Sequence, residues 1–160
     1  MPPADDSPAA GPEPTVVEAP PELKNLSDRA LAGFHGALNE GDAEGYLEFL
    51  EPDVDFSTVT SAAEGVVYHG HDEVRQYIGR VREAFEETRI EAEQQLLAGD
   101  DVLVVLGKWF ARGRGSGVEV VTEWGSFFQL SPRNRATCVR AYTSHEETLV
   151  AAREQAAGGS

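Results

Sequence analysis

Four long runs of alternating apolar and polar residues, at positions 90–97, 102–112, 118–130 and 135–143, constrain this chain more than any other feature. Alternation of that kind marks strands with one buried and one exposed face. The runs are joined by Gly99-Asp100-Asp101, by the glycine-rich stretch 113–117 and by residues 131–134, all of them clusters that favour turns. The pattern predicts consecutive antiparallel hairpins. Two shorter strand patterns precede them, at 54–60 and 66–69. Long strands with one covered face curl, so the expected sheet is a cone with an interior.

Helical periodicity fills the first half of the chain. Leu26, Ala30, Leu31, Phe34, Ala37 and Leu38 form one apolar stripe, with Asn25 or Ser27 as the expected N-cap and Gly41 as the stop. A short second helix carries Tyr46, Leu47, Phe49 and Leu50 behind an Asp42 cap, and Pro52 is expected to end it. A third, over 72–87, repeats Val74, Tyr77, Ile78, Val81, Ala84 and Phe85 at helical offsets and turns Arg75, Arg80, Arg82, Glu83 and Glu86 to solvent. A last helix is predicted over 145–155. Helices followed by a meander give an α+β fold in which the helices cover one sheet face.

A chain of 160 residues suits one domain and a tail. Residues 1–22 hold seven of the nine prolines and several unbalanced acids, which predicts a disordered acidic tail; 23–155 form the domain and 156–160 fray. The formal charge of −15 disfavours nucleic acid and anionic lipid as partners. No stretch approaches the about 18 apolar residues of a membrane span, and the first residues do not resemble a secretory signal. The lone Cys138 permits neither a disulfide framework nor a cysteine-rich metal site and reads as a buried structural thiol. A cytoplasmic protein is expected.

Four segments, taken in order, resemble one family: ALNEGDAEGYLEFLEPDVDF, VYHGHDEVRQYI, ARGRGSGVEV and VRAY. Together they are similar to SnoaL-like proteins of the nuclear transport factor 2-like superfamily, over nearly the whole domain. The resemblance implies a SnoaL-like (cystatin-like) cone, with three N-terminal helices packed on a strongly curved antiparallel sheet that encloses a pocket. The superfamily includes polyketide cyclases, ketosteroid isomerases, epoxide hydrolases and noncatalytic transport and scaffold domains, so fold alone does not choose a function.

Ketosteroid isomerases need a carboxylate base, a phenol and a protonated acid. Aligned on ALNEGD, Phe34 holds the phenol's position; counting from the end of the second helix into the first strand puts Thr58 at the base's, and counting back from VRAY puts Ser126, give or take one residue, at the protonated acid's. A general base is worth roughly 10² to 10⁴ in rate and an oxyanion donor about 3 to 4 kcal/mol. The resemblance therefore implies no isomerisation by that mechanism. Epoxide hydrolases of the superfamily pair carboxylates across an arginine. Here the alternation that turns Trp124, Ser126, Phe128 and Leu130 inward turns Glu123 outward, and with Val139, Ala141 and Thr143 inward, Arg140 and Tyr142 face away.

His69 and His71 stand two apart, but Gly70 and the helix start at Asp72 break the strand, so no metal is expected. Nor is a cofactor expected: residues 113–117 lack the lysine and following helix of a phosphate loop, and no G-x-S-x-G elbow occurs. Tyr68 and His69, placed at the pocket rim, are the expected acid-base pair. Phe34, Leu38, Phe56, Trp109, Trp124 and Phe128 are the expected apolar wall, with Tyr46, Thr58, Ser126 and Thr143 as polar points for a ligand. Two functions fit. One is binding of a small, largely apolar, cyclic or polyketide-like molecule, with weak isomerase, cyclase or hydrolase activity. The other is a noncatalytic module that dimerises through an outward sheet face of Lys108, Arg112, Glu119, Glu123, Gln129, Arg140 and Tyr142. A homodimer is the expected assembly.

Overall fold

A computed structural model describes residues 14–58 and 66–158. In chain order the elements are β1 (Val16–Glu18), α1 (Pro21–Glu40), α2 (Glu44–Leu47), β2 (Leu50–Ser57), β3 (Tyr68–His69), α3 (Gly70–Ala84), β4 (Phe85–Ala98), β5 (Val102–Gly113), β6 (Glu119–Leu130), β7 (Ala136–Tyr142) and α4 (His145–Gly158). The strands form one sheet in the order β1-β4-β5-β6-β7-β2-β3. The meander β4 to β7 is antiparallel throughout, as its alternation predicts. One junction departs from an all-antiparallel sheet: β2 lies parallel to β7. Its position follows from connectivity, since β2 leaves the helical layer and enters the sheet beside the last strand, where Ala136 N–H donates to Phe49 O at 2.8 Å.

Several boundaries differ from the sequence reading. α1 starts at Pro21 behind Pro20, because proline suits a first turn whose N–H groups have no helical partner. Ser27 is instead inside the helix, buried, and accepts a hydrogen bond from Gln95 Nε2 at 3.1 Å. Pro52 does not stop α2. It falls within β2, in the stretch where the pairing register with β7 shifts between Leu50 and Asp55, the kind of irregular ladder that tolerates a missing N–H. α3 passes directly into β4, whose Phe85 already pairs with Gly113.

The reading of residues 1–22 as disordered needs correction where the chain is described. Val16, Val17 and Glu18 pair with Ala98, Leu97 and Leu96 and cap the open edge of β4. An edge strand offers unpaired backbone groups along a whole row, and three paired residues outweigh the weak apolar content of the segment. Glu18 also forms an ion pair with Lys24. Residues 1–13 lie outside the described residues.

α4 runs to Gly158, past the predicted end, and lies on the convex face of the sheet. Its close approach depends on Gly125, where a Cβ would meet Thr148 Oγ1 at 2.3 Å. Thr148 is fully buried there, and Ala152 packs with Val104, Leu106 and Phe127 in a second apolar cluster. This explains why Val102 to Leu106 are buried without alternation: the concave side faces the helical layer and the convex side faces α4. The outward face read as a dimer surface is thus divided. Gln129 is buried and accepts a hydrogen bond from Gln155 of α4, and Glu123 accepts the N–H of His145. Lys108, Arg112 and Glu119 keep exposed or partly exposed side chains. Among the described residues no helix is long and apolar enough to cross a membrane.

Glu51 at the start of β2 is hydrogen-bonded by Arg133 of the β6–β7 turn. That guanidinium, and next the Ser131 hydroxyl, hold the Glu51 carboxyl below the usual carboxylate range. A depressed folded-state value stabilises the fold above the unfolded value of about 4.3 and is lost as pH falls through the folded one. Glu51→Gln is therefore expected to lower the urea midpoint near pH 7, with the gap to the parent protein closing on acidification below about pH 4. A gap that widened on acidification would contradict this pairing.

Candidate ligand-binding cavity

The space between the concave face and the helices is set by how closely α1 and α2 approach. At Gly33 a Cβ would lie 2.8 Å from the backbone nitrogen of Tyr46, so only glycine lets α2 settle against α1. Tyr46 is thereby driven beneath α1, with its ring 4.8 Å from Phe34 and 6.3 Å from Phe56. Phe56, 1% exposed, continues to Tyr77 at 5.3 Å, and Tyr77 to Tyr68 at 5.4 Å. Asn39 locks the far end of α1 to β4: its side-chain amide donates to Thr88 O at 2.8 Å and accepts from Thr88 N at 2.9 Å.

These constraints leave a cavity inside the cone. About 40 Å³ of it is reachable by the centre of a water molecule, within about 580 Å³ of non-atom space that continues to its mouth. The smaller figure measures the room actually available to a ligand as the side chains stand. It is enough for a few waters or a thin group, because roughly 10–15 Å³ on that measure holds one water. A ring-sized ligand requires the aromatic wall to shift.

The structure brings Phe34, Leu38, Tyr46, Phe56, Thr58, Trp109, Trp124, Ser126 and Phe128 together on the cavity wall. Phe34, Thr58 and Ser126, the three positions that the family resemblance aligns with an acid-base set, converge there. Val139 and Ala141 of β7 also face in, as strand alternation requires. Thr143 does not: it follows the end of β7 and leaves the lining. Tyr77 and Ala30 line the cavity although their spacing made them only further residues of the α3 and α1 stripes.

Tyr68 and His69 stand apart from this wall. Successive residues of the edge strand β3 point to opposite faces, so Tyr68 is buried behind Tyr77 while His69 faces outward. The His69 side chain is 64% exposed, with Nδ1 2.6 Å from Asp55 Oδ1. Neither residue is in the cavity lining. His71 is directed elsewhere again, with Nε2 2.9 Å from Leu50 O.

The polar atoms of the wall are neutral hydroxyls. Burial, and then the neighbouring Tyr77, push the Tyr46 phenol above its ordinary range, so it remains a protonated donor. Ser126 Oγ donates to Arg140 O at 2.8 Å, which leaves its lone pairs as acceptors. Among the described lining residues there is no Asp, Glu, His, Lys or Arg. The acid-arginine-acid set of an epoxide hydrolase is not assembled on this wall: Arg140 turns away, with Nη1 donating to Val139 O at 2.9 Å and to Asp55 O at 3.2 Å. Cys138, half-buried on the convex side, has its thiol pushed up by burial, which suits a structural role.

Comparison with known structures agrees with this geometry. A nuclear transport factor 2-like protein of unknown function from Burkholderia pseudomallei superposes with a TM-score of 0.64 at 22% identity, covering 79% of this chain and 94% of that one. A protein of ketosteroid isomerase-like fold from Catenulispora acidiphila, in complex with trimethylamine, gives a TM-score of 0.64 at 14% identity, covering 82% of this chain and 92% of its own. The epoxide hydrolase/cyclase-like enzyme SalBIII, with a role in pyran ring formation in the polyether salinomycin, gives 0.60 at 16% identity, covering 78% and 95%. At such identities the likeness is one of fold. No protein with a curated description matches the sequence. Residues 31–134, more than half of the chain, match the SnoaL-like domain. With that match and the cone itself in view, the chain belongs to the SnoaL-like domain family.

Proposed function

We propose that this protein binds a small, largely apolar, ring-containing molecule in the cavity of the cone. The observation that carries this reading is the chemistry of the wall: the rings of Phe34, Phe56, Trp109, Trp124 and Phe128, with the neutral hydroxyls of Tyr46, Thr58, Tyr77 and Ser126 as its polar points. Such a surface gains free energy from apolar contact, about 25 cal/mol per Å² buried, and orients the ligand through a few hydrogen bonds. The absence of a charged group from the described wall favours binding over proton transfer, since a general base must reach the proton it abstracts. Among proteins of similar fold, one was obtained in complex with trimethylamine and another has a role in pyran ring formation, which is in keeping with a small-molecule role.

Native mass spectrometry of protein purified without denaturation tests this. A retained small molecule of defined mass is the expected result. The protein's two tryptophans, Trp109 and Trp124, both line the cavity, so their indole N–H resonances also report on occupancy. A clean protein mass, together with no response of either indole to a panel of benzene and cyclohexane derivatives, would overturn the reading.

A second reading, pairing of two copies, draws on the uncovered convex patch. Val121 is 53% exposed and pairs across the strands with Phe110, over which Arg89 sits 4.0 Å from the ring centroid. Charges of both signs flank them, with Lys108 opposite Glu123 and Arg112 opposite Glu119. A self-complementary surface suits a two-fold pair. Sedimentation analysis distinguishes the species: dimer in the parent protein and monomer in Val121→Glu support it, and a parent monomer rejects it.

A further inference from the structure

A smaller recess lies beside the cavity, between α1 and β4. It shares Leu31, Phe34, Leu38 and Ile90 with the wall of the main space, and Thr88 lines it together with the exposed His35 and Arg89 at its outer side. About 20 Å³ of it is reachable by the centre of a water molecule. By the measure that roughly 10–15 Å³ holds one water, this is room for a single oxygen-sized group.

Thr88 is 3% exposed, and its Oγ1 is, among the described residues, the buried side-chain polar atom with no hydrogen-bond partner. The neighbouring backbone cannot shift to supply one, because Asn39 holds both the N–H and the carbonyl of Thr88. Cross-strand pairing with Ala111, itself buried, keeps the side chain on the concave face. A buried hydroxyl without a partner is unfavourable in the empty fold, and a group that brings a hydrogen-bonding oxygen relieves it. The other cavity hydroxyl whose bond is defined, Ser126, already donates to Arg140 O.

We propose that Thr88 is the polar anchor for the cavity's ligand: an apolar, ring-containing molecule with one terminal carbonyl or hydroxyl oxygen that enters the recess and bonds to Thr88 Oγ1. This deepens, and rests on, the ligand-binding reading above. The recess has room for one oxygen-sized group beside Thr88, and the apolar body lies among Phe34, Trp109 and Trp124.

The test compares two probes of nearly the same shape, acetophenone and α-methylstyrene, which differ in a carbonyl oxygen against a methylene. Titrations followed by the indole resonances of Trp109 and Trp124 are run on the parent protein, Thr88→Val and Thr88→Ser. The parent is expected to bind acetophenone about fivefold more tightly than α-methylstyrene, the ratio a single neutral hydrogen bond supplies. Thr88→Val keeps the shape, removes the orphan hydroxyl and is expected to lose the preference; Thr88→Ser keeps the hydroxyl and the preference. A preference that survives in Thr88→Val, or equal binding of both probes by the parent, overturns the anchor and leaves the cavity reading standing. No indole response to either probe in any of the proteins overturns both.

Discussion

Gly107→Ala is expected to destabilise the protein by about 3 kcal/mol or more, at the upper end of what overpacking does. A Cβ at this position would lie 1.9 Å from the carbonyl oxygen of Glu91 and 3.1 Å from the Cα of Ala92, so the clash is with backbone that no rotamer change relieves. Glu91 and Ala92 border the irregularity where the β4–β5 register shifts, between Ala92 and Gln94. A bulge there bends the strand and increases its twist. Gly107 therefore sits where the long hairpin β4–β5 bends over the interior. Its carbonyl also accepts a hydrogen bond from His145 Nε2 at 2.8 Å, which ties the start of α4 to the same point. Chemical denaturation measures the loss; a midpoint within error of the parent would show that the hairpin bends without this contact.

Ala141→Phe is expected to weaken binding of any cavity ligand by about a hundredfold or more, equivalent to about 2.7 kcal/mol. Ala141 is 5% exposed and faces the cavity from β7, where it pairs directly with Ser126 of β6. A benzyl group there takes the place of the ligand. The accompanying loss of stability is expected to be about 1–3 kcal/mol, the usual cost of overpacking, since the added ring requires the aromatic wall to shift. Calorimetric titration with acetophenone, beside a urea melt, separates the two effects. Undiminished binding in a folded Ala141→Phe protein would move the site out of the cone.

The strands of the meander and the residues they turn inward were legible in the sequence, because a period of two needs no tertiary information. Trp124, Ser126 and Phe128 line the cavity for that reason alone. Tyr77 was hidden by the same logic: a helical stripe marks burial, and burial against other side chains looks identical to burial against an empty space. Alternation turned Ala141 inward, but the space that Ala30 and Ala141 leave was not legible, because a small residue leaves no trace of the volume it concedes. Tyr68 and His69 were misplaced because a two-residue edge strand carries too little pattern to say which side faces in.

By itself the sequence determined the α+β order, the antiparallel hairpins and the inward side chains of the meander, since these rest on local periodicity. Only the tertiary structure decided the parallel β2–β7 junction, the pairing of β1 on the sheet edge, the cover of α4 over the convex face and the recess at Thr88. Each of these depends on which distant segments meet. That choice is made by contacts such as Gly125 with Thr148 and Asn39 with Thr88, whose partners no spacing along the chain reveals.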